Sequence, residues 1–288
     1  MAPPSPTLTA IGVAALRALY SEMPAPLAIV HDPFAARLLP PPLGALTRLL
    51  HDRPALGRLV HRSLRAVTRD LSISTPLRTV AIDNAVRSAL EQGARQLVVL
   101  GSGLDSRAWR CPELERIDVF EVDREKTHRY KRKRLAHRTP LAQRHHYVEV
   151  DFARHDLASR LKHAGFEPER PAVWIWEGVI VYLPHQAIAS TVQKVSQLSA
   201  PGSTLVGTYT CPGLGTVLPT AHLRWAARLI GEPLRGLIST SQLHQLLESA
   251  DLQPTVDEPV TRWAALTLPR SEATSGPDWE RLIVAVRR

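Results

Sequence analysis

The sequence predicts an α/β fold with a doubly wound, mostly parallel sheet, and three observations carry that prediction. Short apolar runs without polar alternation recur between residues 96 and 210, as strands buried on both faces of a parallel sheet do. The first, Leu97-Val98-Val99-Leu100, leads into Gly101 and Gly103, which lack a Cβ and let the backbone turn sharply and approach a ligand. The second, residues 117–122, ends in Asp123, where nucleotide-binding βαβ units place a ribose-binding carboxylate. Strand, glycine turn, crossover, strand and acid together describe a site for an adenosine-containing cofactor.

Taken in order, residues 1–10 are rich in Pro and predict no fixed structure until packed or bound. From residue 10 to about 71 the pattern is helical, broken at Pro24, Pro26, Pro33, Pro40 to Pro42 and Pro54, with no strand signal. Leu46, Leu49, Leu50, Leu56, Leu59 and Val60 fall at helical spacing and predict core-facing sides. Pro76 is expected to start the next helix with Thr75 as N-cap, and Gly93 to end it. Arg78 then falls in a first turn, where the helix dipole prefers an acid, which points to a specific anionic partner. Residues 125–137 predict an exposed helix, and residues 146–151 a third strand ending in Asp151. Asp156 is the natural start of the helix that follows. Ala172–Trp176 is the fourth strand and Thr204–Thr210 the fifth, with a helix over 185–198 between them. Residues 211–238 read as an insertion after strand five, containing an amphipathic stretch at 222–230, and residues 240–250 as a helix. The tail offers weaker strand signals at 255–260 and 264–268 and a clear one at 281–286, one of them an antiparallel edge strand. The organisation expected is a helical part over 1–75 and an α/β domain over 76–288.

Asp105 and Ser106 discriminate between cofactors. A dinucleotide fingerprint would carry a third glycine where Ser106 stands. Asp105 places a carboxylate where a pyrophosphate would meet a helix N-terminus, and so repels it. S-adenosylmethionine has ribose and adenine but no phosphate, which favours it over NAD; the alternative role of Asp105 is to cap the next turn. Glu177 follows the fourth strand, beyond whose carboxyl end ligands bind in open α/β sheets, and can face an ammonium or sulfonium. A buried acid without such a cation would be costly.

Composition narrows the class. The chain has 288 residues, 44% of them hydrophobic, enough for one large domain with an added cover. Its two cysteines, Cys111 and Cys211, lie too far apart in sequence for a metal or redox motif, and no metal is expected. The start lacks a basic region and no stretch is long enough to span a bilayer, so a cytoplasmic, membrane-free protein is expected. Net charge is +9, and nine Arg or Lys against one acid, Glu125, fall between Arg124 and Arg144. RNA could dock on such a run, but only Tyr130 interleaves as a stacking platform, and a solvated helix face accounts for it.

Several motifs in order resemble the leucine carboxyl methyltransferase family, and most of all its bacterial branch of S-adenosylmethionine-dependent methyltransferases. They are His31-Asp32-Pro33-Phe34-Ala35, Arg78-Thr79 with Ile82-Asp83, and Leu100 to Arg107. Phe120-Glu121-Val122-Asp123, Val150-Asp151-Phe152, Trp176 to Leu183 and Gly231-Glu232-Pro233 follow. The resemblance implies a class I methyltransferase-like fold with the N-terminal helices as a lid over cofactor and acceptor. It implies that Arg78 pairs with the carboxylate of S-adenosylmethionine, and that Asp151 and Phe152 meet the adenine, with Phe152 where leucine is often found. It leaves Arg17 open between the site and the surface. The cofactor set expected is therefore Arg78, Gly101, Gly103, Asp123, Asp151, Phe152 and Glu177. No catalytic base is identified: Tyr182, Tyr209 and His222 qualify by position alone. The function expected is O-methyl transfer to a carboxylate or hydroxyl of a small-molecule acceptor whose identity the motifs do not give. An RNA-binding or RNA-modifying methyltransferase using residues 124–144, or a non-catalytic cofactor-binding protein, are the alternatives.

Overall fold

Five strands fall at or close to the expected segments: β1 (Gln96–Leu100), β2 (Asp118–Asp123), β3 (Arg144–Glu149, two residues before the expected 146–151), β4 (Ala172–Trp176) and β5 (Thr204–Thr210). β6 (Leu252–Pro259) and β7 (Glu280–Arg287) complete one sheet in the order β3-β2-β1-β4-β5-β7-β6. β1 to β5 run parallel, and β7 lies antiparallel between β5 and β6. The computed structural model describes residues 7–68, 71–151, 155–212, 233–268 and 279–288.

The centre of the sheet is buried on both faces, which is why β1 and β4 read as apolar runs. Leu97, Val99, Val119, Val173, Ile175 and Val206 pack on one face with α1 (Leu8–Ser21), α5 (Leu71–Glu91) and α11 (Val260–Thr267). Val98, Leu100, Phe120, Val122, Trp174 and Trp176 pack on the other with α8 (Leu157–His163), α9 (His185–Gln197) and α10 (Thr240–Glu248). The alternation is the period of two of a pleated strand, with a hydrophobic layer at each side. Local signals set the helix starts. Thr7 caps α1 by accepting from Ala10 N, Asp156 caps α8 by accepting from Ser159 N, and Ser239 with Gln242 forms a capping box on α10. The proline breaks separate α1, α2 (Ala35–Leu38), α3 (Pro41–Arg48) and α4 (Pro54–Thr68).

Four expectations need correction. Helix α5 begins at Leu71, so Pro76 lies inside it rather than at its start, and Arg78 is not in a first turn. Packing of residues 72–79, all buried, outweighs the ladder bond that the proline ring removes. Residues 264–268 lie mostly in α11 instead of a strand, while the 255–260 signal falls mostly in β6, the edge strand, which pairs antiparallel with β7. Leu46, Leu49 and Leu59 are exposed, so the helical spacing of α3 and α4 overstates what they bury. The basic run is only partly a solvated face: α7 (Glu125–Arg134) buries Lys131 completely, with its ammonium 2.5 Å from Glu121 and over the ring of Trp109. Arg134 donates to the carbonyls of Arg37 and Leu39, tying α7 to the N-terminal helices. Among the described residues no helix is long and apolar enough to cross a membrane, and none of their His, Cys, Asp and Glu clusters could hold a metal.

His128 gives this layer an acid-sensitive element. It is fully buried, neither ring nitrogen has a hydrogen-bond partner among the described residues, and burial lowers its pKa below the ordinary 6.5. As pH falls, the unfolded chain therefore takes up this proton first. The stability linked to His128 is complete above about pH 6.5 and is lost as pH drops from there toward the lower folded value. The melting temperature should fall between pH 7.5 and 5.5, and His128→Phe should narrow that difference; an equal fall in both proteins would locate the sensitivity elsewhere.

Candidate functional site

A cavity of about 510 Å³ runs across the carboxyl ends of β2, β1 and β4. Its centre is the turn after β1. Gly101 and Gly103 both hold positive φ, +67° and +51°, which favours glycine at each. A Cβ on Gly101 would also lie 2.6 Å from Val179 Cγ2. The turn is fastened to β2: Gly101 N and Ser102 N donate to Val122 O, and Gly103 N donates to Asp123 Oδ2 at 2.7 Å. Asp123 thus stands at the cavity wall with one oxygen on the turn and the other on the Arg124 amide.

Beneath the cavity lies a buried ionic chain. Arg17 holds Asp32 at 3.0 Å and donates to Leu104 O; Asp32 also accepts from Ser106 Oγ at 2.6 Å and from the amides of Phe34 and Ala35. Arg110 and Arg107 each meet Asp83 at 2.7 Å. Arg107 further grips Asp105 and, at 3.1 Å, Glu177. Arg78 closes the chain on Glu177 at 3.0 Å and on Glu280 at 2.6 Å. Burial alone would raise the Glu177 pKa, but Arg107 and Arg78 hold it below the ordinary value. For Arg78 burial again opposes the charge, and Glu280 and Glu177 outweigh it.

This arrangement revises three readings. Arg17 is neither on the surface nor aimed freely at a ligand; it is buried and clamps the N-terminal helices to the glycine turn. Asp105 takes both of its alternatives at once: its Oδ1 accepts from Arg107 N at 2.7 Å while Oδ2 pairs with that guanidinium. The case against a pyrophosphate therefore rests on the whole chain, four guanidinium groups against the five carboxylates Asp32, Asp83, Asp105, Glu177 and Glu280, and less on Asp105 alone. Arg78 has its anionic partners within the protein, in Glu177 and Glu280.

Of the expected site residues, Arg78, Gly101, Gly103, Asp123 and Glu177 line the one cavity. Asp151 lies two residues past β3 and is not among the lining residues; its amide and carbonyl close a turn with His155. Phe152 and His222, with the amphipathic stretch 222–230, lie outside the described residues. Tyr209 is not among the lining residues; its hydroxyl donates to Asp257 at 2.7 Å, and burial raises its pKa. Tyr182 lines the cavity too, and unforeseen lining residues are Thr9, Ala10 and Val13 of α1, together with Arg235. Nothing local marks them, because residues far apart in sequence meet there. The residues fit S-adenosylmethionine: the open glycine turn, the Asp123 carboxylate, an excess acid for a cationic group, and the buried Ser102 hydroxyl, which has no partner among the described residues.

Comparison with known proteins agrees with this geometry. A relative in Mycobacterium tuberculosis H37Rv, provisionally named an S-adenosyl-L-methionine-dependent methyltransferase, is 34% identical over 76% of this chain and 69% of its own. One of the same provisional name in Mycobacteroides abscessus is 37% identical over 72% and 68%. The fold is similar to a DUF574 family protein from Streptomyces avermitilis (TM-score 0.62, 17% identity, 81% and 90% of the two chains). It is likewise similar to a Thermobifida fusca protein provisionally titled a methyltransferase (TM-score 0.61, 18% identity, 81% and 88%). The architecture is class I methyltransferase-like. With the model of the family matching residues 10–196, the chain belongs to the leucine carboxyl methyltransferase family.

Proposed function

We propose that this S-adenosylmethionine-dependent methyltransferase transfers its methyl group to an oxygen, carboxylate or hydroxyl, of a small-molecule acceptor. The observation that supports the reading is the single cavity that puts Asp123 at its β2 end and the Arg78–Glu177 pair at its β4 end. Asp123 would hold the ribose hydroxyls. Arg78 would hold the amino-acid carboxylate with the guanidinium edge that Glu177 and Glu280 leave, and Glu177 would face the ammonium or sulfonium.

When bound, S-adenosylmethionine supplies a methyl whose carbon–sulfur bond breaks, its electron pair going to sulfur, as the acceptor oxygen bonds to carbon. The protein's part is to hold the two in line and to exclude water. A carboxylate acceptor brings no proton to remove, which suits a cavity wall with no poised base among its described residues; a hydroxyl acceptor would have to lose one. Calorimetry should find binding of S-adenosylmethionine and S-adenosylhomocysteine and none of NAD. Tight NAD binding with no response to either sulfur compound would sink the proposal.

A further inference from the structure

Resting on the methyl-transfer reading, we infer that the acceptor is a small oxyanion and that Arg235 is the residue that recognises it. Arg235 follows the insertion after β5 and lines the cavity with Tyr182, Leu183 and Pro233. These four gather beyond β4, across β1 from Asp123, which is the acceptor end if the ribose is at Asp123.

The backbone fixes Arg235 in place. Arg235 N and Gly236 N both donate to Val181 O at 2.9 Å. Gly236 seats so closely on the Ile180–Tyr182 turn that a Cβ there would lie 1.9 Å from Ile180 O. The side chain is exposed, and among the described residues no carboxylate pairs with it. Arg17 and Arg78, on the same cavity, are by contrast buried against acids. The lining carboxylates are also taken: Glu177 by Arg78 and Arg107, Asp105 by Arg107, and Asp123 by two amides.

Exposure alone would say little, since surface arginines are ordinarily solvated. Placement says more. A guanidinium held at the acceptor end repels a cationic acceptor from a site already hosting a sulfonium, and it presents a fork that matches a carboxylate or phosphate. Arg124 and Lys126 also line the cavity, but they follow Asp123 at the β2 end.

The test uses labelled methyl transfer from S-adenosylmethionine into a small-molecule extract of the encoding organism. Anion exchange at pH 7.5 first divides the extract into retained and flow-through pools. The label should enter the retained pool, Arg235→Glu should cut incorporation roughly tenfold or more, and Arg235→Lys should keep it within about threefold. Phosphatase treatment of the pool beforehand separates the two sources: lost labelling identifies a phosphate, retained labelling a carboxylate. S-adenosylhomocysteine should bind all three proteins alike, which shows that the variants are folded. Label in the flow-through pool, or wild-type incorporation by Arg235→Glu, overturns the inference. Failure of the wild-type protein to bind S-adenosylhomocysteine overturns the underlying reading instead.

Discussion

Arg107→Met is expected to lower the free energy of unfolding by about 3–5 kcal/mol, the usual loss when one partner of a buried ion pair is removed. Arg107 is 2% exposed and is shared by Asp83, Asp105 and Glu177, so the substitution leaves Asp105 without a guanidinium partner and takes one of two from Asp83 and from Glu177. Methionine nearly preserves the volume, which isolates the charge from the packing. The deficit has a pH signature. Without Arg107, burial should make Asp105 titrate higher in the folded state than in the unfolded chain. Protonation then favours the folded form, so the deficit should shrink as pH falls from 7.5 toward 5.5. Denaturant unfolding at both pH values checks this. A loss below about 1 kcal/mol would mean that Asp105 relaxes into solvent and that the ionic chain does not hold the site together.

Asp123→Ala and Arg78→Ala should both weaken S-adenosylmethionine binding, by roughly ten- to a hundredfold, since each removes a hydrogen bond to a charged group. They should differ with adenosine. Asp123→Ala should weaken adenosine too, because the lost contact is to the ribose, whereas Arg78→Ala should leave adenosine binding unchanged. The structure adds a cost that ligand contact alone does not: Arg78 is buried and bridges Glu177 and Glu280, so Arg78→Ala should also lower stability, and binding must be measured well below its melting temperature. Asp123→Ala, at the partly exposed cavity wall, should melt nearer the wild-type temperature. Equal losses for both ligands in Arg78→Ala, or normal affinity in Asp123→Ala, would mean that the two residues do not serve opposite ends of one ligand.

The sequence by itself determined the elements whose cause is local. Short, mainly apolar runs marked β1, β2, β4 and β5, since a strand buried on both faces has no exposed side to alternate. Asp156 announced α8, and Gly101 and Gly103 announced a turn that needs positive φ. Asp123 and Glu177 were legible because ligand sites of open α/β sheets gather at strand carboxyl ends. What only the tertiary structure decided was where long side chains find their partners. Arg78 meets Glu280 across 202 residues and Arg17 meets Asp32 across a chain reversal. Lys131, one cation in a run that reads as solvated, is buried on Glu121. Pro76 sits inside a helix because surrounding burial outweighs its local preference. Residue type and spacing encode backbone geometry within a few residues, whereas the pairing of buried charges is settled by low dielectric and long-range packing, which become defined only once the chain has closed around them.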